Sequence, residues 1–323
     1  MRTIALLVLS GLTMALLMVP LSTEAHGHEM SGGGGHADAN GKSVVGGRAV
    51  DCNNGGVITR ALEKLRRGDT LFIFGVCAEN VEVGDSFRHI TLDGGGVGVI
   101  NAPDPSIDAL RIYGDQITVR GLTISGGRDG INLRGAMGAV IEGNILENNA
   151  AAGLNVHRIS WATVKDNVIR NNGTFGIMVY ENSSARIGFT ENAQPTPNPN
   201  LIEANGNFGI FVSRSSQADI AGNTIRLNGG NGIQVDRNSQ AEIGSNTIDQ
   251  NTGNAVNAAF GSGVNLGAGT TARWQLRANT STAANTRFAL GCTTGGYTSG
   301  SLGGLLGTLG PKSIVNGCID TVP

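Results

Sequence analysis

Gly130-Ile131-Asn132-Leu133, Gly153-Leu154-Asn155-Val156, Gly176-Ile177-Met178-Val179, Gly209-Ile210-Phe211-Val212, Gly232-Ile233-Gln234-Val235 and Ala255-Val256-Asn257-Ala258 are six versions of one phrase. They follow one another at steps of 23, 23, 33, 23 and 23 residues. A fixed period in the twenties marks stacked repeats, each burying its apolar edge on the next. One step carries ten extra residues, and the register resumes after it.

Other positions keep the same beat. Asn144, Asn167, Asn200, Asn223 and Asn246 recur, and Asn149, Asn172, Asn205, Asn228 and Asn251 follow them by five residues. Ile141, Val164, Ile187, Ile220 and Ile243 complete the pattern. Each repeat therefore holds three short runs of alternating apolar residues, separated by Asn, Gly and Ser. Alternation over a few residues reads as strand and the separators read as turns. Three strands per coil, with like residues stacked, describe an all-β, right-handed parallel β-helix of about 23 residues per coil. Stacked Asn side chains can bond along their column. A leucine-rich repeat shares this period but needs a helical or extended second half. Asn228-Gly229-Gly230-Asn231-Gly232 is poor material for one.

Phrases such as Gly232-Ile233-Gln234-Val235 followed by Ser239-Gln240-Ala241-Glu242-Ile243-Gly244-Ser245-Asn246-Thr247-Ile248 resemble the right-handed parallel β-helix repeats of the pectin-lyase-like superfamily. The resemblance runs from about Asp51 to about Leu266. It implies the fold and leaves activity open, because one scaffold hosts many chemistries. In polysaccharide-acting members, substrate commonly lies along the first sheet.

The chain has 323 residues, of which 51 are Gly, without the triplet period of collagen. A net charge of −2 gives no electrostatic case for nucleic acid or an anionic membrane. Aromatic residues are 4%, which leaves few platforms for stacking sugars. Residues 1–25 read as a secretory signal peptide: Arg2, an apolar run from Ile4 to Val19, then a polar segment closing at Ala25. After cleavage no membrane span remains, and a secreted or periplasmic protein, a monomer, is expected. Residues 26–48 are rich in Gly and His and are expected to be disordered; the β-helix domain occupies 49–323. His26 and His28 at a mature N-terminus suit Cu or Ni in square-planar geometry, and otherwise belong to a solvated tail.

Residues 55–67 carry a helical apolar stripe and are expected to form a helix over the open end of the stack. Beyond Leu266 the period fades. Thr270–Ala289 and Ser301–Gly310 are expected to form a C-terminal cap. Cys52 and Cys77 lie 25 residues apart and Cys292 and Cys318 lie 26 apart, each about one coil. Stacked positions about 4.8 Å apart are close to disulfide reach, so the expected pairs are Cys52–Cys77 and Cys292–Cys318.

In the repeated phrase Ile and Val point inward, so alternate residues point out. One outward column holds Arg111, Asn132, Asn155, Met178, Phe211, Gln234 and Asn257; its neighbour holds Tyr113, Arg134, His157, Tyr180, Ser213, Asp236 and Ala259. Arg134, His157 and Tyr180 are the candidate catalytic residues. Arg111, Tyr113, Asn132, Asn155, Gln234 and Asp236 are the candidate substrate contacts. Arg134 suits a uronate carboxylate, and His157 or Tyr180 suits proton transfer beside it. Hydrolysis needs two opposed carboxylates, which this face lacks. Three readings follow. The first is a binding or structural role on a polysaccharide or cell-surface glycan. The second is a uronate-directed lyase or C5-epimerase. The third is a periplasmic helper with a metal-binding tail.

Overall fold

The computed structural model describes residues 47–190, 198–267 and 277–323. The expected signal peptide and most of the Gly/His-rich segment, including His26 and His28, lie outside the described residues. The first strand, Gly47–Asp51, begins within that segment, two residues before the expected domain start.

All named strand pairs are parallel, and the strands form one ten-stranded and one eighteen-stranded sheet. The ten-stranded sheet is built from the repeated phrases. Leu154 pairs with Ile177, Ile177 with Ile210, Ile210 with Ile233, and Ile233 with Val256. These side chains are fully buried, as are Val156, Val179, Val212 and Val235 one pleat further on. The other two strands of each coil merge into the larger sheet because Thr91–Asn101 and Thr118–Ser125 run unbroken around their corner.

Corners between strands must satisfy backbone groups that no ladder reaches. Three side-chain columns do this. After the second strand, Asn144, Asn167, Asn200 and Asn223 each receive both backbone and side-chain N–H groups from the coil before, or from Leu122 its backbone N–H. After the third strand, Asn149, Asn172, Asn205, Asn228 and Asn251 repeat the device. After the first strand, serine hydroxyls act instead: Ser183 Oγ accepts from Ser160 N, Ser216 Oγ from Ser183 N, and Ser239 Oγ from Ser216 N. Two left-handed residues precede each serine, such as Arg158 and Ile159 or Glu181 and Asn182. That turn is short, so no loop rises beside the first sheet there.

Two expectations need correction. The N-terminal helix is only Ile58–Leu62, not 55–67. Val57 supplies no side-chain cap; Glu79 reaches across to accept from the N–H groups of Ile58 and Thr59. Asp69 Oδ2 accepts from Arg66 N and turns the chain before more helix can form. Ile58 and Leu62 are its buried residues, and it packs on the first strands. At the other end the β-helix does not stop at Leu266. Phe288–Thr293 and Gly310–Ile314 extend the first sheet, and Tyr297–Gly300 and Ile319–Asp320 extend the second. Asn279 and Asn285 carry on both Asn columns.

Both disulfides join the expected partners, Cys52 to Cys77 and Cys292 to Cys318, with Cα–Cα distances of 5.0 and 5.9 Å. Among the described residues no helix is long and apolar enough to cross a membrane.

Candidate functional site

The first sheet brings Tyr113, Arg134, His157 and Tyr180 into one file, at steps of 21, 23 and 23 residues. His157 stands beside Arg134 in register. The His157 and Tyr180 rings stack with centroids 5.1 Å apart and planes 2° from parallel. The Arg134 guanidinium lies over the Tyr113 ring at 5.9 Å, and that of Arg214 over Tyr180 at 5.5 Å.

The neighbouring column is less open than its outward direction promised. Asn132 and Asn155 are only 1% and 3% exposed, because they are tied into a polar network. Both donate from Nδ2 to Asp129 Oδ2, at 3.1 and 2.9 Å. Asp129 Oδ1 accepts from Ala152 N. A carboxylate only accepts, so Asn132 must face it with its NH2 and turn Oδ1 the other way. That oxygen lies 2.8 Å from His157 Nε2, which therefore carries the proton and donates. The chain Asp129–Asn132–His157 fixes both the ring's orientation and its neutral tautomer, and leaves Nδ1 with the lone pair.

Nδ1 of His157 sits 3.6 Å from Glu181 Oε2, is itself buried and has no hydrogen-bond partner. Burial holds the imidazole below its ordinary pKa; Glu181 pulls it back up, while Arg134 and Arg158 push it down. Burial raises the Tyr180 phenol, and Glu181 and Asp129 add to that. Neither group is a ready base toward solvent: one has its lone pair covered, the other holds its proton more tightly than usual.

Charges on this face are mostly committed. Arg111 binds Asp108, Arg128 lies against Asp108 and Asp129, and Arg158 and Arg214 flank Glu181. Arg134 has no carboxylate partner among the described residues. Ser213 Oγ donates to Asp236 Oδ1. Gln234 Oε1 accepts from Asn231 and Asn257, closing the far end with a patch of paired amides.

Between the charged end and the amide end lies a cluster of which sequence reading placed Phe211 and Met178 on the outward column but missed Phe175 and Phe208. Phe175, Phe208 and Phe211 gather with ring centroids 5.0 to 5.8 Å apart, beside Met178. All three rings are partly exposed. The low aromatic content thus misled: few aromatic residues are present, yet three of nine Phe form one platform. The signal was available, since Phe175 and Phe208 each precede the repeat's Gly and so stack.

The ten-residue insertion leaves the molecule elsewhere. Its described base follows the second strand, where Asn198 N bonds Gly188 O. Among the described residues no three His, Cys, Asp or Glu side chains converge as a metal site.

The chain resembles the A-module of the mannuronan C-5 epimerase AlgE4 of Azotobacter vinelandii, at 13% identity and TM-score 0.51, over 80% of this chain and 84% of that one. It resembles the pectate lyase Pel9A at 11% identity and TM-score 0.51, over 78% of this chain and 72% of that one. At such identities the likeness establishes the fold alone. No curated protein matches the sequence. The family model for the right handed beta helix region matches residues 108–271, just over half of the chain, and the protein belongs to that family.

Proposed function

We propose that this is an exported protein that binds an acidic polysaccharide along its first sheet. The observation that carries the reading is Arg134, a guanidinium over the Tyr113 ring with no carboxylate of its own among the described residues. A uronate carboxylate is the partner that geometry suits, and Phe175, Phe208 and Phe211 offer rings for the apolar faces of sugars. Two disulfides fit an oxidising compartment such as the periplasm or the exterior. Fold likeness to a mannuronan epimerase and a pectate lyase agrees with a polysaccharide ligand.

Binding is preferred to catalysis because the lone pair of His157 is covered and the Tyr180 proton is held. The lyase or epimerase reading keeps one observation in its favour, the register of Arg134 with His157 beneath a stacked Tyr180. Calorimetry with hexamers of galacturonate and of alginate tests the proposal. Binding that weakens about tenfold in Arg134→Ala, and further with added salt, supports it. Equal affinity of wild type and variant overturns it. Unsaturated uronates appearing in the ultraviolet, or epimerised residues in proton spectra, would install the catalytic reading in its place.

A further inference from the structure

A second surface lies on a different sheet and plays no part in the reading above. We propose that the groove on the second-strand face, running from Trp161 to Tyr297, binds an oligosaccharide bearing free amino groups.

The groove consists of two adjoining hollows of about 180 and 270 Å³ that share Gln217, Ala218 and Asp219. Its depth follows from the sequence. The inward position along these strands is Ala in coil after coil: Ala162, Ala185, Ala218 and Ala241. Small inward residues let this face sit closer to the axis than one built on Ile and Leu. At Gly263 there is no side chain at all. A Cβ there would stand 2.2 Å from Oε1 of Gln240, whose amide lies over the bare backbone.

One outward column has an aromatic ring at each end, Trp161 and Tyr297, in register through Ser184, Gln217, Gln240 and Gly263. Five strand spacings separate the rings, about 24 Å, enough for an extended oligosaccharide. Amides between stacking rings are the ordinary equipment of a sugar site.

Charge decides which sugar. In the adjacent column Asp219 and Glu242 are directly aligned, about one strand spacing apart. Among the described residues no hydrogen bond or ion pair joins either carboxylate. Arg186 is next in the column, but its guanidinium bonds Thr190 O and lies over the Phe189 ring, 5.4 Å from its centroid. Burial, and then the neighbouring Glu242, raise the Asp219 carboxyl above its usual value, while Arg186 lowers it in part. An ammonium group bridging the two would relieve that repulsion and form charge-assisted hydrogen bonds. A uronate would add to it. The two faces would therefore favour sugars of opposite charge.

Calorimetry of the full chain with a β-1,4-linked glucosamine hexamer tests the inference, with the fully N-acetylated hexamer and a galacturonate hexamer as comparisons. The expected result is binding of the glucosamine hexamer, at least tenfold weaker for the acetylated one. It should be weakened at least tenfold by the Asp219→Asn/Glu242→Gln double variant, and separately by Trp161→Ala, with melting temperatures showing that both variants fold. Equal affinity for the two hexamers, wild-type affinity in the double variant, or no binding of the glucosamine hexamer would overturn it.

Discussion

Asn200→Ala puts the stacking argument at risk most directly. Asn200 is fully buried. Its Nδ2 donates to Val164 O and to Asn223 Oδ1, both at 2.9 Å. Its Oδ1 accepts from Asn167 N at 3.0 Å and from Asn167 Nδ2 at 2.9 Å. Alanine deletes all four bonds, but the partners suffer unequally. Val164 O keeps the N–H of Gly188, and Asn223 Oδ1 keeps the backbone N–H of residue 200 itself. Asn167 Nδ2 keeps Ile141 O and Lys165 O. Only the backbone N–H of Asn167 is left buried and alone. An orphaned buried N–H costs roughly 1–3 kcal/mol and each of the other lost bonds about 0.5–1 kcal/mol, so the total is about 4 kcal/mol. For a chain of this size that lowers the melting temperature by roughly 7 °C. Asn198, two residues earlier, provides the contrast. Its side chain donates to Asp166 Oδ2 at the exposed corner. Its replacement by Ala should stay within about 0.5 kcal/mol. Urea unfolding followed by circular dichroism measures both. If Asn200→Ala loses less than about 1 kcal/mol, or cannot be told from Asn198→Ala, the ladder does not hold the stack together in the way argued.

Three further outcomes are expected. His157 should titrate below the ordinary value of 6.5, read from its ring proton resonances; the folded state then prefers the neutral ring. Its contribution to stability should be complete above about 6.5 and fall as pH drops toward the lower folded value, and His157→Gln should flatten that slope. Reducing Cys52–Cys77, which closes a separation of 25 residues, should cost about 3.5 kcal/mol by loop entropy, measured by unfolding with and without reductant. Gly188→Ala should destabilise by about 2 kcal/mol or more, since φ there is +96° and a Cβ would stand 2.1 Å from Ala221 O; a melting temperature unchanged by that substitution would contradict the tight corner.

What the sequence made legible was whatever repeats. Register, the inward Ile and Val files and both Asn columns follow from residues that recur at 23, the disulfide pairs follow from separations of about one coil, and the structure places them so. The final coils escaped because two signals vanish together there. Asn246 to Asn279 is a step of 33, and the repeated phrase becomes Phe288-Ala289-Leu290-Gly291-Cys292. The closure of the outward column escaped for a different reason. Alternation tells which way a side chain leaves the backbone, but Asn132 and Asn155 are covered by bonds to Asp129, which lies on the preceding turn and outside the strand pattern. Pattern reads direction; accessibility depends on what neighbouring columns reach.

The two long steps bear on where function can sit. Both fall at one corner, after the second strands Ser184–Ile187 and Gly263–Leu266. The coils between them, carrying Gln217–Ala221 and Gln240–Gly244, keep the tight 23-residue period and hold Asp219 and Glu242. A solenoid gains nothing in stability from lengthening a turn whose ladder continues unbroken beneath it, and the Asn column does continue through both. The extra residues therefore answer to something other than the stack, and they leave the chain at the corner after the second strands rather than beside the first sheet. Shortening each insertion by its ten surplus residues separates the possibilities. If the first sheet keeps its uronate binding and the groove loses affinity for the glucosamine hexamer, the insertions serve the groove. If the groove keeps its affinity in both shortened chains, it stands on Trp161, Tyr297 and the two carboxylates alone.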